Sequence, residues 1–346
     1  MNNFWEKLKI PFFVLAPMAD VTDVAFRSII TKYGKPDVLW TEFVSADGLS
    51  SPGREALKID LMYSEIERPI VAQLFSAHPE KMREASKLCA ELGFDGIDIN
   101  MGCPDRSIEK QGAGAAMMKN PQSASDIIQA VKDGIRDAGK AIPVSVKTRV
   151  GYNKVQIDEW IPFLLSQDIA ALTIHARTRK EMSLVPARWE HVKEVVDIRN
   201  KMNLKTKIIG NGDVLDLVHA EKLALETGCD GVMLGRAIFG NPWLFSGLAS
   251  QENKDSLLFT LKDSDEIRNL YSPAPLIPSV KEKLTVMVEH TKLFEELLGQ
   301  YKNFAIMKKH YKAYVNGFDG AKELRVKLME AENAEDIEKI VREFLD

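Results

Sequence analysis

The segment Asp98-Ile99-Asn100-Met101-Gly102-Cys103-Pro104 ends an apolar run in a glycine turn and then presents a thiol. Pro104 has no N–H for a sheet ladder, so the chain leaves the strand there. A cysteine in that place can supply chemistry, or it can be a small buried filler, as free cysteines often are. Its position at a strand end favours chemistry. Lys147 and Arg149 alternate around Thr148 at the end of another run; two cations there suit an anionic ligand, or equally a solvated surface. His175 ends a further run and can donate to a ring carbonyl or titrate. Asn211-Gly212-Asp213 and Gly235-Arg236 are either ordinary turns or the backbone cradle of a phosphate. Cys89 falls on an apolar helical stripe and Cys229 enters a strand, so both read as core.

Positioning these groups requires eight short apolar runs, at 12–16, 38–43, 69–75, 96–100, 143–148, 170–176, 207–210 and 231–235. They are rich in Val and Ile and nearly continuous, as strands covered on both faces are. Helical segments fill the gaps. Pro79 stands where a first helical residue belongs, and Met82, Ala85, Leu88, Cys89 and Leu92 recur at helical spacing before Gly93. Leu217, Leu223, Ala224 and Leu225 lead to a stop at Gly228, and Thr22 or Asp23 can cap a helix ending near Gly34. Such alternation predicts a parallel (β/α)8 TIM barrel of about 250 residues, with a doubly wound sheet as the rival. The strand ends favour the barrel. They read Pro17-Met18, Glu42, Gln73, Asn100 with Cys103, Lys147 with Arg149, His175 with Arg177, then the two glycine turns. A barrel collects its chemistry at that rim.

The barrel pattern, expected over 1–250, stops where 251–279 turn polar and then proline-punctuated, which predicts a linker. Stretches 280–298, 301–316 and 321–344 read as the helices of a small domain over 280–346. Between Lys302 and Lys327 the cations Lys302, Lys308, Lys309, Lys312, Lys322, Arg325 and Lys327 are opposed only by Asp319 and Glu323, with Tyr301, Tyr311 and Tyr314 interleaved. A basic stretch with aromatics can follow a phosphate backbone and stack on bases; solvated helix faces with tyrosines packed inside are the plainer reading. In 346 residues, 45% hydrophobic and 28% charged, extended disorder and a membrane bundle are excluded. The net charge of −4 confines any nucleic-acid surface to a local patch. Three scattered cysteines suit neither a disulfide framework nor a zinc cluster and fit a reducing cytoplasm. Lys7 and Lys9 before the apolar 10–19 stretch outline a secretory signal, but the stretch reads as the first buried strand.

Taken together the motifs resemble those of the tRNA-dihydrouridine synthases. Ala16-Pro17-Met18-Ala19 with Val21-Thr22-Asp23 is similar to that family's opening motif, and Thr41-Glu42-Phe43-Val44-Ser45-Ala46 to its second. Asn100-Met101-Gly102-Cys103-Pro104, Lys147-Thr148-Arg149, His175-Ala176-Arg177-Thr178-Arg179, Asn211-Gly212-Asp213 and Gly235-Arg236 follow in the family's order. The likeness is close over 10–245 and looser in the basic tail, with Lys308, Lys309, His310 and Tyr314. Ala176 stands where the family usually has glycine, which adds a methyl and removes no polar group.

The resemblance implies FMN at the barrel mouth and NADPH as reductant. Pro17, Met18 and Ala19 would pack along the flavin, and Gln73, Lys147 and His175 would address its polar edge. Asn211, Gly212, Asp213, Gly235 and Arg236 would hold its ribityl chain and phosphate. Asn100 would orient the target uracil, Cys103 would protonate it opposite the hydride, and Lys147 would stabilise negative charge on the reduced flavin. Arg149, Arg177 and Arg179 would face nucleotide or phosphate, and Lys308, Lys309 and Lys312 the tRNA. The expected protein is a cytoplasmic monomer without metal or membrane. Two other readings stay open: an FMN barrel acting on a free pyrimidine, of dihydropyrimidine or dihydroorotate type, and a non-catalytic RNA-binding protein that retains a barrel.

Overall fold

The eight apolar runs form eight parallel strands: β1 (Phe12–Leu15), β2 (Leu39–Ser45), β3 (Ile70–Phe75), β4 (Gly96–Met101), β5 (Val144–Arg149), β6 (Ala171–His175), β7 (Lys207–Asn211) and β8 (Gly231–Leu234). This computed structural model describes residues 3–247 and 278–346; the predicted linker lies outside the described residues except for Pro278 and Ser279. The strands pair in the order β1-β8-β7-β6-β5-β4-β3-β2. Val14 of β1 bridges Val38 just ahead of β2, and the Asp37 N–H donates to the Phe13 carbonyl at 2.9 Å, which closes the ring. The protein is thus a parallel β/α barrel followed by C-terminal helices.

The connecting helices are α1 (Val24–Gly34), α2 (Pro79–Glu91), α3 (Pro121–Asp137), α4 (Ile157–Leu165), α5 (Glu190–Lys201) and α6 (Leu217–Thr227). Local chemistry starts several of them. The Asp23 carboxylate accepts the Phe26 N–H at 2.9 Å, and Pro79 and Pro121 take first-turn positions where no N–H is needed.

Parallel register stacks the inward positions in levels. Gln73 pairs with Asp98 and Asp98 with Ser145; Asn100 pairs with Lys147 and Lys147 with Thr173; Arg149 pairs with His175 and His175 with Asn211. The apolar part of the interior is one buried cluster that includes Phe12, Val14, Val38, Trp40, Val71, Ile209 and Met233. Trp5 plugs it, with ring centroids 5.7 Å from Phe12 and 5.9 Å from Trp40. Each such large side chain contributes roughly 1.5–3 kcal/mol through burial.

Contacts divide the chain into two units. One comprises residues 1–19, 37–215 and 219–235 and holds all eight strands; the other comprises 20–36, 216–218 and 236–346, so α1 goes with the C-terminal helices. In the second unit α7 (Val280–Leu298) starts with a capping box between Ser279 and Glu282. The helix expected over 301–316 begins only at α8 (Met307–Tyr314), after a short 3-10 turn capped by Asn303. The stretch expected to be helical over 321–344 is two helices, α9 (Ala321–Glu330) and α10 (Ala334–Leu345). Asn333 causes the break: extended itself, its side chain accepts the Asp336 N–H at 2.8 Å and starts a new helix. No helix among the described residues is long and apolar enough to cross a membrane.

The second unit also settles the interleaved aromatics. Tyr311, Tyr314 and His310 are buried, and of the three tyrosines only Tyr301 is exposed, at 63%. Their ring contacts are internal, so Tyr311 and Tyr314 are core rather than stacking platforms. The Phe26 ring lies 4.9 Å from His290 and 4.8 Å from His310, and the two imidazoles are 4.7 Å apart. Neither imidazole nor the Tyr314 hydroxyl has a hydrogen-bond partner among the described residues.

Burial therefore holds both rings neutral, His310 down to about 3 and His290 well below its ordinary value of 6.5. The unfolded rings take protons below about 6.5 and the folded ones do not, so this stability is present above that pH and is lost as pH falls below it. Two such rings predict a roughly 10²-fold loss of hydrogen-exchange protection in α7 and α8 between pH 8 and 5.5, after correction for intrinsic exchange. Replacing both histidines by phenylalanine removes that dependence; an unchanged pH slope in the double variant would assign it to other groups.

Candidate active site

The inward polar residues of β3 to β7 lie beside one another, most of them buried and Lys147 and His175 half-buried. Asp98 accepts from Ser145 Oγ at 2.5 Å and from Gln73 Nε2 at 2.6 Å. Gln73 Oε1 accepts from Asn100 Nδ2 at 3.1 Å. Asn100 Oδ1 accepts the N–H groups of Gly102 at 3.1 Å and Cys103 at 2.9 Å. The thiol loop is therefore tied to the strand that precedes it. On its other side the Cys103 carbonyl accepts the Ala115 N–H at 3.0 Å. Gly114, at φ +59°, permits that approach, because a Cβ there would lie 2.9 Å from the Cys103 oxygen. Phe75, Ile108 and Ala113 form an apolar wall against the half-buried Cys103.

Burial pushes the Cys103 thiol up, with Asp105 adding to it and Arg149 and Lys147 opposing. The sulfur thus stays protonated at neutral pH. Cys89 and Cys229 are core, as expected, and burial lifts the Cys89 thiol to about 12. Lys147 lies one strand over, its Nζ 3.4 Å from Asn211 Oδ1. Desolvation, with the Arg149 charge, brings Lys147 down to about 8; Asp98 and Cys103 pull the other way. Asn211 is held by its own Nδ2, which donates to the Met233 carbonyl at 2.8 Å.

The three rim arginines, expected to face nucleotide or phosphate, are turned to protein partners. Arg149 is buried and donates to the carbonyls of Gly102 at 2.8 Å, Thr178 at 3.2 Å and Met182 at 3.1 Å. Arg177 donates to the Val185 carbonyl at 2.6 Å and to Asp213. Arg179 pairs with Glu109 and lies over the Tyr152 ring at 5.3 Å. Arg177 also reaches His175 Nε2 at 3.1 Å. A guanidinium can only donate, so Nε2 is the acceptor side of this contact.

The glycine turns lie on the same rim. Gly212 has φ +129°, and a Cβ there would meet Ala187 at 2.8 Å and His175 at 3.3 Å. Trp189 Nε1 donates to the Gly212 carbonyl at 2.9 Å, and the Asp213 carboxylate accepts the Ala187 N–H at 2.9 Å besides its arginine. Gly235 adjoins the end of β1: a Cβ on it would lie 3.7 Å from Ala16 and 4.0 Å from the Met18 sulfur. Pro17 is buried, Met18 half-buried and Ala19 exposed. Gln73, Asn100, Cys103, Lys147, His175, Asn211, Gly212, Asp213 and Gly235 are thus brought together within the first unit. Arg236 opens a short turn of the second unit and is exposed. Lys308, Lys309 and Lys312 lie on α8, where Lys309 pairs with Asp20 at 3.7 Å.

Sequence reading assigned no role to Asp98, Ser145 or Glu109. Their signal was weak: Asp98 and Ser145 sit two residues before Asn100 and Lys147, on the same strand face, and Glu109 has no such mark.

A profile of the family described as Dihydrouridine synthase (Dus) matches residues 14–346. The chain is 38% identical to the "Probable tRNA-dihydrouridine synthase 2" of Bacillus subtilis (strain 168), over 99% of this chain and 97% of that protein. It is 37% identical to the "Probable tRNA-dihydrouridine synthase" of Staphylococcus aureus (strain MRSA252), over 99% of this chain and 96% of that protein. A family match along nearly the whole chain, with Cys103 and its neighbours gathered on one barrel rim, establishes that the chain belongs to the dihydrouridine synthase family.

Proposed function

We propose that the chain, as a monomer, reduces uridine in tRNA to 5,6-dihydrouridine, using FMN at the barrel mouth and NADPH as the reductant. The observation that carries this reading is a thiol loop, seated by Asn100, on the rim that also bears two glycine turns. The names of the two relatives support tRNA as substrate.

The rim chemistry fits FMN. The N–H groups of Gly212 and Gly235 have no backbone partner among the described residues, and neither glycine carries a side chain to fill the space. The one carboxylate at the turn, Asp213, is tied to Arg177 and the Ala187 N–H, so it does not oppose a phosphate with an unpaired charge. Lys147 supplies a cation for an electron-rich ring edge, with Gln73 and His175 as polar neighbours. Pro17, Met18 and Ala19 supply an apolar side, and Asn211 and Asp213 complete the cradle. When bound, FMN supplies the hydride for one carbon of the uracil 5,6 double bond, replenished from NADPH.

The residues of the chain do the rest. The target uridine leaves its stack to reach the rim. Asn100 orients the uracil with an amide already fixed by three hydrogen bonds. Cys103 gives its proton to the other carbon, and the thiolate left behind faces the Arg149 and Lys147 charges. Arg149, Arg177 and Arg179 act by holding the loops that carry these groups. Lys308, Lys309 and Lys312 contact the RNA backbone.

Two outcomes test the proposal. Cys103→Ala keeps the yellow flavin and loses about 10²-fold or more in turnover on tRNA, measured by mass spectrometry of dihydrouridine. Normal turnover in that variant would remove Cys103 as proton donor. Changing Lys308, Lys309 and Lys312 together to glutamine weakens tRNA binding and reduces the slope of log affinity against log salt by about 2–3. An unchanged slope, or free pyrimidine reduced as well as tRNA, would favour a small-molecule flavin barrel.

A further inference from the structure

Asp98 is fully buried at the heart of the barrel and takes no part in the proposed reaction. A buried carboxylate needs donors, and Asp98 has two, Ser145 Oγ and Gln73 Nε2. From Gln73 the hydrogen bonds run on to Asn100 and then to the N–H groups of Gly102 and Cys103.

The direction of this chain is forced. An amide side chain has one donor end and one acceptor end. Backbone N–H groups can only donate, so Asn100 turns its oxygen to Gly102 and Cys103 and its nitrogen to Gln73. Gln73 then offers its oxygen to Asn100 and its nitrogen onward, where only an acceptor satisfies it. An ionised carboxylate accepts and never donates. Burial pushes Asp98 up to about 6, while Ser145, Gln73, Lys147 on the next strand and the nearby Trp40 indole favour the charged form. Both ends of the chain are therefore groups that cannot reverse, and each amide between them has one orientation.

We propose that Asp98 is the positioning residue of the Cys103 thiol, acting through Gln73 and Asn100 to lock the turn that carries it. The inference rests on the reading of Cys103 as proton donor for its meaning, but the hydrogen-bond chain exists without reference to the flavin. An asparagine at 98 keeps the direction, with its oxygen toward Gln73 and its nitrogen toward Ser145. An apolar residue leaves the Gln73 amide without an acceptor.

The test is alkylation of the full chain by iodoacetamide, read residue by residue by peptide mass spectrometry, with dihydrouridine formation measured in parallel. Cys89 and Cys229 are buried and report any loss of the fold. Asp98→Leu raises the labelling rate of Cys103 about tenfold, as release of a locally hydrogen-bonded turn should, while Cys89 and Cys229 stay protected. In the same variant kcat falls and KM for tRNA changes little. Asp98→Asn restores the parent labelling rate and most of kcat. Gln73→Met cuts the chain at its middle and raises Cys103 labelling likewise; it decides the matter if Asp98→Leu exposes all three thiols. Unchanged Cys103 labelling in a folded Asp98→Leu or Gln73→Met protein would overturn the proposal. Parent protein that forms no dihydrouridine, yet gives the expected labelling pattern, would overturn the functional reading and leave this one standing.

Discussion

Alternate side chains of a strand point to opposite faces, so a slip of one residue would turn the interior of a barrel outward. The first unit depends on that register running unbroken from β3 to β7. It sets Gln73 level with Asp98 and Ser145, then Asn100 with Lys147 and Thr173, then Arg149 with His175 and Asn211. Asp98, Gln73, Asn100 and Ser145 can be buried in this interior because the levels bring their donors to acceptors, whereas the Thr173 hydroxyl finds no partner among the described residues. One irregularity is sealed rather than propagated: β2 shifts register between Trp40 and Phe43, and the Thr41 hydroxyl fills in by accepting the Gln73 N–H at 3.1 Å.

Charge is distributed with the same economy. Taking a guanidinium out of water is costly unless acceptors surround it. Arg149, Arg177 and Arg179 find theirs in loop carbonyls and carboxylates, and in doing so stitch together the segments after β4, β6 and β7. Lys147 stands among the polar levels of the interior, with a long contact to Asn211 and the charge of Asp98 nearby. A lysine is the softer choice there, since its proton affinity responds to whatever approaches.

In the second unit one short helix separates two tasks by its period. Met307, His310, Tyr311 and Tyr314 face inward on α8, which leaves Lys308 and Lys312 toward solvent. The inward histidines are packed as aromatic rings, against Phe26 and each other, with their nitrogens unmatched. That arrangement gains packing at the expense of polar satisfaction, and it ties the integrity of the unit to neutral imidazoles.

Continuous apolar runs with polar ends were enough to read all eight strands to within two residues, because a strand buried on both faces leaves its mark on every residue. The order of the rim motifs was likewise legible, and with it the family, since each motif is a short local pattern. The bounds of α7 match the expected 280–298, and a capping box of Ser279 and Glu282 starts it. Four things were decided only by the tertiary structure. The break at Asn333 pits one cap against an otherwise helical stretch, and the packing of α1 with helices more than 250 residues on is invisible to any local window. The partners of the rim arginines, and the donors that Asp98 receives, depend on which group comes within about 3 Å after the ring closes. Residue type names a donor or an acceptor; only the folded chain chooses its partner.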